Sequence, residues 1–243
     1  MAAKASKSRI PKPTMERAVK ALLKWLGSNP TPKPSSDFIC LVVTLKSVPR
    51  AGRPFSFQVP LPHPFPHPTV LLVDDSAARK NLHPLSLPVT DVVPFADADS
   101  FKFPSSGLLL LDRRVEKRFR KKRKNAEIGI KKGVRIATVD LARESWREEA
   151  RKECGLATVK FGGGSGTTVR VGRGNVQPRE ELMENVAAAV EGVVGRVPRG
   201  WRNVRAVHLK AAESVALPMY EAVEEEDDNT EEVAGEKKRK REE

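Results

Sequence analysis

The amino-acid sequence predicts an α+β fold, in which both ends of the chain build one two-layer domain around an inserted segment. The predicted elements run helix, strand, strand, then a long interruption, then strand, strand, helix, strand. Each flank alone is too short to bury a good core. Residues 61–68 hold four prolines in eight positions, which indicates a domain boundary. We therefore assign residues 14–65 and 155–222 to the split domain and residues 66–154 to the insertion.

The first flank begins with a predicted helix. Thr14 is a suitable N-cap and Gly27 a suitable end. The predicted apolar face consists of Met15, Ala18, Val19, Leu22 and Leu26. Residues 38–45 predict a strand that is apolar on both faces and therefore central, and residues 55–61 predict a second strand. Residues 1–13, with four bases and no acid, predict a flexible, disordered basic arm.

The insertion contains three apolar strands. They are predicted at residues 69–73, 107–111 and 133–141, and a helix is predicted at residues 143–153. Residues 76–106 show no lasting helical period and are interrupted by prolines, so no element is predicted there.

The second flank starts with two alternating segments, residues 156–161 and 167–171. The glycine-rich residues 162–166 between them predict a hairpin with a flexible tip. Pro178 suits the first turn of the next helix and Gly195 its end. The apolar stripe of that helix comprises Leu182, Val186, Ala189, Val190 and Val193. Residues 203–212 predict the last strand.

No residue pattern predicts catalysis, a metal or a cofactor. The glycines of residues 162–166 lack the Gly-Lys-Ser/Thr ending of a phosphate-binding loop. His63 and His67 stand among prolines that prevent helical presentation, and no base, nucleophile or metal partner stands out for Asp74 and Asp75. Cys154 is interpreted as a plain helix-end thiol. We expect a non-enzymatic protein with no cofactor and no small-molecule substrate. The alternative is an enzyme that uses a nucleotide in the insertion, but no Gly-x-Gly-x-x-Gly follows residues 69–73.

The cysteine count and the length of the apolar runs indicate which cellular environment the chain suits. With only two cysteines, the chain has too few thiols for a disulfide scaffold, so a reducing compartment is the simpler interpretation. Its longest apolar runs fall far short of the roughly 20 residues that cross a bilayer, and its first ten residues lack the apolar core of a secretory signal. No membrane partner is expected.

The charge of the chain is unevenly distributed. Residues 221–243 hold 11 of the 31 acids and 5 of the 44 bases, which leaves +19 on residues 1–220 although the whole chain carries +13. Residues 223–243 predict a disordered acidic tail. The tail contains a basic block typical of nuclear localisation signals, formed by Lys237, Lys238, Arg239, Lys240 and Arg241. The alternative is a solvated charge run.

The densest positive charge lies in residues 113–124. This stretch holds nine bases and one acid, Glu116. The bases are Arg113, Arg114, Lys117, Arg118, Arg120, Lys121, Lys122, Arg123 and Lys124. Such density predicts contact with a polyphosphate, because an anionic partner relieves the self-repulsion. A solvated basic helix or a second nuclear signal is the alternative.

A second basic set belongs to the split domain. Its members are Arg170, Arg173, Arg179, Arg199, Arg202, Arg205 and Lys210. Thr168 and Arg170 share one face of their strand, opposite Val169 and Val171, so a hydroxyl and a guanidinium face outward. Because aromatic residues make up only 5% of the chain, recognition of RNA shape and backbone is favoured over base stacking.

The order of several stretches resembles one known family. They are Gly155-Leu-Ala-Thr-Val-Lys-Phe161, Thr168-Val-Arg-Val-Gly-Arg173, Glu181-Leu-Met-Glu-Asn-Val186, Gly200-Trp-Arg-Asn-Val-Arg-Ala-Val-His-Leu-Lys210, residues 38–45 and Val59-Pro-Leu-Pro-His-Pro64. They resemble the large-subunit ribosomal protein L-one (L1) family over residues 14–75 and 130–222. Glu213-Ser-Val-Ala-Leu-Pro-Met-Tyr220 is similar to its eukaryotic nucleolar branch, the ribosome-biogenesis proteins.

This resemblance implies an architecture and a role. The insertion would be an α/β Rossmann-like domain, reduced where residues 76–106 lack helix. The split domain would bind ribosomal RNA without catalysis, with Thr168, Arg170 and Arg173 on the RNA-facing strand and the turn after it. Ser214-Val-Ala216 stands where the family has an RNA-contacting Thr-Met-Gly, and Pro34-Ser35 where it has a basic residue and Phe.

These two departures and the reduced insertion favour an assembly factor. We expect a protein of the nucleus and nucleolus that binds precursor ribosomal RNA in pre-ribosomal particles. Its expected partners are assembly factors and ribosomal proteins. The alternative is a structural protein of the large subunit that binds mature ribosomal RNA.

Overall fold

The computed structural model describes residues 8–29, 37–48, 55–75, 89–131 and 133–222. Its helices are α1 (Lys12–Ser28), α2 (Glu116–Lys124), α3 (Trp146–Cys154) and α4 (Arg179–Val194). Its strands are β1 (Phe38–Leu45), β2 (Phe55–Pro60), β3 (Thr69–Val73), β4 (Asp91–Pro94), β5 (Ser106–Asp112), β6 (Gly133–Val139), β7 (Leu156–Phe161), β8 (Gly166–Arg173), β9 (Val204–Ala211) and β10 (Leu217–Glu221). Within these ranges, no helix is long and apolar enough to span a bilayer.

Three sheets organise the described residues. An antiparallel sheet has the order β10-β9-β1-β8, and β2 pairs with β7 in a two-stranded antiparallel ribbon. A parallel sheet has the order β4-β3-β5-β6. The antiparallel strands come from both ends of the chain and the parallel ones from its middle. The predicted mixture of helices and sheets is confirmed, whereas the division into two domains stays a prediction.

The antiparallel sheet packs one face against α1 and α4. Its central strand, β1, lies between β8 and β9 and buries Ile39, Leu41 and Val43 against the helices. The predicted apolar face of α1 is confirmed, since all five of its residues are buried. The predicted stripe of α4 is buried as well. Because these helices cover one face only, the opposite face of the sheet is left for other contacts.

The start of α1 differs from the prediction. Pro11 is the N-cap and the helix begins at Lys12, so Thr14 lies inside the first turn. Pro13 fits there because the N–H that it lacks would have no partner in a first turn. Gly27 lies inside the helix, which ends at Ser28. Ile10 is buried in the core, so residues 8–13 are not part of a free basic arm.

The predicted hairpin of β7 and β8 is wrong in its pairing. β7 pairs with β2, and β8 pairs with β1 in another sheet. A hydrogen bond of 2.8 Å from Thr167 Oγ1 to the Lys160 carbonyl joins the two strands near the glycine-rich turn. Alternating polarity identifies a strand but not its partner. The last strand is likewise β10, which follows the predicted one.

The parallel sheet is covered on both faces. On one face, Phe119 of α2 and Val115, which precedes the helix, pack against Val70, Leu72 and other apolar residues of β3 and β5. On the other face, Trp146, Ala150 and Cys154 of α3 pack against Leu71, Val73, Leu108 and Leu110. Burial on both sides explains why β3 is apolar at nearly every position. Of the unassigned residues 76–106, the structure places β4 and a 3₁₀ turn at Phe95–Asp97, and residues 76–88 lie outside the described ranges.

Asn185 fixes the proline-rich connection to α4. Its buried side chain accepts a hydrogen bond of 2.9 Å from the His63 N–H and donates to the carbonyls of His63 (2.7 Å) and Val171 (3.0 Å). An extended segment that pairs with no strand thereby satisfies part of its backbone.

Replacing Gly192 by Ala is expected to lower the free energy of unfolding by up to about 2 kcal/mol, since overpacking costs about 1–3 kcal/mol and helix propensity returns about 1 kcal/mol. A Cβ at this position of α4 would overlap Cγ1 of Val59 and lie 3.0 Å from its Cγ2. This clash exceeds the gain of about 1 kcal/mol in helix propensity. The matched control is Gly27→Ala in α1, where no atom lies within 4 Å and a slight gain is expected. Urea titrations of both variants check the opposite signs.

Candidate nucleic-acid interface

The face of the antiparallel sheet that points away from α1 and α4 carries two rows of side chains. Arg170, Cys40 and Lys210 are register neighbours across β8, β1 and β9. Thr168, Val42 and His208 form the adjacent row, two residues along each strand. We call these six residues the outer face. The predicted alternation in β8 is confirmed, because Val169 and Val171 are fully buried while Thr168 and Arg170 are exposed.

The cations of the outer face are available to an anion. Arg170 and Lys210 have no carboxylate partner within the described residues, and the Arg170 guanidinium lies 4.7 Å from the centre of the Phe38 ring. The backbones of Arg170 and Lys210 are two strand spacings apart, about 10 Å, because β1 lies between β8 and β9. Burial raises the pKa of the Cys40 thiol, and the charges of Arg170 and Lys210 on either side lower it. At the edge of the sheet, Glu221 lies 3.6 Å from the His208 ring.

Arg173 has a structural ion-pair partner. Its guanidinium forms a forked contact with Asp37, with Nε 2.9 Å from Oδ2 and Nη2 2.9 Å from Oδ1. The pair joins the residue before β1 to the last residue of β8, and both side chains are mostly buried. Arg179 is similarly paired with Glu16 on α1. Two members of the second basic set therefore neutralise carboxylates within the fold.

Ser214 lies in the turn between β9 and β10. Its hydroxyl accepts a hydrogen bond of 2.8 Å from the Ala211 N–H and donates to the Val215 carbonyl at 3.0 Å. Val215 beside it is 75% exposed. The turn follows Ala211, which pairs with Ile39, so it lies at the end of the sheet next to Arg170 and Lys210. Pro34-Ser35, which stands where the family has a basic residue and Phe, lies outside the described residues.

The basic stretch forms α2, and part of its charge is paired. Arg118 contacts Asp74 (3.1 Å), Arg120 contacts Glu116 (2.5 Å), and Lys122 contacts Asp99. Exposed bases without a carboxylate partner among the described residues are Arg114, Lys117, Lys121, Arg123 and Lys124. Phe119 anchors the opposite side of the helix in the core. The outer face lies on β8, β1 and β9, whereas α2 packs on the parallel sheet, so different elements form the two basic surfaces.

The residues considered for catalysis or metal binding have structural partners. The His63 ring lies 2.7 Å from Glu184, the His67 ring 2.8 Å from Thr69, and Asp75 accepts a hydrogen bond from the Ala96 N–H. Burial raises the pKa of the Cys154 thiol to about 11, against weaker lowering by a Thr69 hydrogen bond and the Arg135 charge. The described ranges contain no group of three His, Cys, Asp or Glu residues able to hold a metal.

Sequence reasoning did not find Asp37, Arg135, Lys160 or Arg196 as contributors to charged surfaces. Asp37 precedes a strand and is 136 residues from its partner Arg173, so no local pattern marks it. Arg135, Lys160 and Arg196 are single bases in apolar or mixed stretches, and only the tertiary fold brings them together. The predicted nuclear block, Lys237 to Arg241, lies outside the described residues.

Comparison with known protein families gives a match. The model of the ribosomal protein L1p/L10e family matches residues 110–215, a span that runs from β5 to the turn before β10. It therefore includes strands of both four-stranded sheets and much of the outer face. No curated protein matches the chain. The match over these residues, on a mixed fold whose antiparallel sheet carries the motifs that resemble this family, supports the presence of an L1-type domain in the chain.

Proposed function

We propose that this protein is a non-catalytic RNA-binding protein of ribosome biogenesis, which binds precursor ribosomal RNA in pre-ribosomal particles of the nucleolus. The observation that carries the proposal is the outer face, on an L1 domain. There, Arg170 and Lys210 flank the centre of an open sheet without carboxylate partners among the described residues, beside the hydroxyl of Thr168. Charge-assisted contacts to phosphates and hydroxyl contacts to sugars suit such a surface.

The assembly role rests on two further features of the sequence. Ser214-Val-Ala216 replaces the family's Thr-Met-Gly, and the Ser214 hydroxyl is engaged in its own turn. The basic block of residues 237–241 supports a nuclear address. A factor that must leave the particle needs weaker contacts than a permanent ribosomal protein. The two domains of the family's fold would then correspond to the antiparallel sheet with its helices and to the parallel sheet with its helices.

Affinity purification of the full chain after RNA crosslinking tests the proposed function. We expect precursor ribosomal RNA and assembly factors in the purified material, and sedimentation with pre-ribosomal particles. Recovery of mature ribosomes alone, with the protein tracking polysomes in a sucrose gradient, would favour a structural ribosomal protein. Absence of ribosomal RNA would overturn both alternatives.

The exposed bases of α2 are expected to add a salt-dependent contribution to RNA binding. Changing Lys121, Arg123 and Lys124 to Gln should reduce the log–log salt slope by roughly 2.1–2.7, at about 0.7–0.9 for each phosphate that is no longer neutralised. Gln has a helix propensity close to that of Lys and Arg, so α2 should persist. Titration of a ribosomal RNA fragment at several salt concentrations measures the slope.

The matched control for α2 changes Lys12, Lys20 and Lys24 of α1 to Gln, which removes the same charge from another surface. A slope that is equal to wild type in the α2 variant would assign this helix to nuclear targeting or to a protein contact instead.

A further inference from the structure

A groove continues from the outer face along the start of the parallel sheet. Its narrow part is a cavity of about 300 Å³ whose lining includes Thr168, Arg170, Gly107 and Gly133. Its wide part, about 680 Å³, extends over the β2–β7 ribbon to Arg196. Four residues line both parts: Arg135, Leu156, Thr158 and Lys160. We call these two adjoining cavities together the junction groove.

The junction groove is positively charged. Lys160, Arg170 and Arg196 have no carboxylate partner in the described part of the chain, and no described lining residue is acidic. Arg135 also lines it, and its Nη1 lies 2.6 Å from Oε2 of Glu153. Burial lowers the pKa of His67 at the narrow part, and the charges of Arg135 and Arg170 lower it further. Cations from two different sheets therefore act on the same space.

Neutral hydrogen-bonding groups accompany these charges along the ribbon. Ser56 pairs with Lys160 and Gln58 with Thr158 in the register of β2 and β7, so the four side chains share one surface of the ribbon. Hydroxyl and amide groups can both donate and accept, as the ribose 2′-hydroxyl does. Groups that both donate and accept, next to cations, suit the alternating hydroxyls and phosphates of a sugar–phosphate chain.

Two glycines and one aromatic residue are notable in the narrow part of the groove. Gly107 and Gly133 form part of its narrow wall without side chains. A Cβ on either would collide with the Pro68 or Ser105 carbonyl, and Gly107 has a φ of +132°. The aromatic ring at this point, Phe65, is buried against Phe38 and His67 and is not free to stack on bases. The narrow part therefore offers contacts to a backbone and no free ring for bases, and Phe57, which lines the wide part, is half-buried against Phe55 and the core.

From these observations we infer that the junction groove binds a single-stranded RNA segment through its backbone, next to the structured RNA on the outer face. This inference rests on the proposed function, which makes RNA the ligand of the chain. Lys160 and Arg196 contact phosphates in the wide part, and Arg170 is shared with the outer face. A strand held there contacts β6 as well as β7 and β8, and so bridges the parallel and antiparallel sheets.

Binding of two RNA probes to the full-length protein tests the inference. The probes are a labelled 12-nucleotide oligouridine and a 16-base-pair RNA duplex. In the variant Lys160→Gln/Arg196→Gln, we expect at least a tenfold weaker affinity for oligouridine. Its salt slope should fall by roughly 1.4, at about 0.7 for each single-strand phosphate contact. Affinity for the duplex should stay within twofold of wild type, because both residues lie off the outer face.

The charge-matched control is Lys20→Gln/Lys24→Gln on α1, which should bind oligouridine within twofold of wild type. A groove variant that equals wild type on oligouridine would overturn the inference. So would a 12-residue polyglutamate peptide that competes as well as oligouridine, because the groove would then belong to an acidic protein segment. Crosslinks from 4-thiouridine should map to the lining strands β2, β6 or β7, and crosslinks confined to β9 and β10 would also overturn the inference.

The two probes separate this inference from the proposed function. Duplex binding that depends on Arg170 and Lys210, without oligouridine binding, would overturn the groove and leave the outer face intact. Failure of the wild-type protein to bind either probe or a ribosomal RNA fragment would overturn the proposed function.

Discussion

The variant Arg170→Gln/Lys210→Gln is expected to bind ribosomal RNA about a hundredfold more weakly than wild type at low salt, at roughly tenfold for each charge-assisted hydrogen bond removed. Both cations lie on the outer face without carboxylate partners in the described residues. The log–log salt slope should fall by roughly 1.4–1.8. Fluorescence anisotropy with a ribosomal RNA fragment across several salt concentrations measures both quantities.

Two controls accompany this variant. Lys20→Gln/Lys24→Gln on α1 removes equal charge far from the outer face in the fold and should leave affinity within twofold of wild type. The thiol of Cys40 checks the geometry without RNA: since Arg170 and Lys210 both lower its pKa, their loss should raise that pKa and slow alkylation at fixed pH. Normal affinity together with slowed alkylation would show that Arg170 and Lys210 lie on either side of Cys40 but do not bind RNA.

Local patterns predicted the parts of this surface that lie on one strand. The period of two in β8 placed Thr168 and Arg170 outward and Val169 and Val171 inward, as the structure has them. The same patterns could not show that Lys210 lies across Cys40 from Arg170, because register between distant strands depends on the whole sheet.

The pairing errors have a similar cause. β7 and β8 are adjacent in sequence, which favoured a hairpin, but β2 and β1 provide better-placed partners. In α2, the density of bases was evident from the sequence. That Asp74 and Asp99, from other segments, pair with Arg118 and Lys122 was not, since those contacts depend on the fold of the parallel sheet.

Arg173 shows why counting bases overestimates a binding surface. Its position at the end of β8 made it a candidate RNA ligand, yet the structure pairs it with Asp37 and places its guanidinium 5.1 Å from the centre of the Phe38 ring. An Arg that satisfies a buried carboxylate stabilises the fold, and its removal can weaken RNA binding indirectly. Stability and affinity therefore need to be measured on the same variants.

The variant Asp37→Ala is expected to lower the free energy of unfolding by about 3 kcal/mol, the low end for breaking a buried ion pair by removing one partner. Arg173 would keep its charge with only 19% of its side chain exposed, and the clamp between β1 and β8 would lose its hydrogen bonds. A double-mutant cycle with Arg173→Ala isolates the pair: the double variant should be little less stable than Asp37→Ala alone. Urea titrations with equal m-values give the free energies. Additive losses would show that the two side chains act independently, and Arg173 would then return to the candidate RNA ligands.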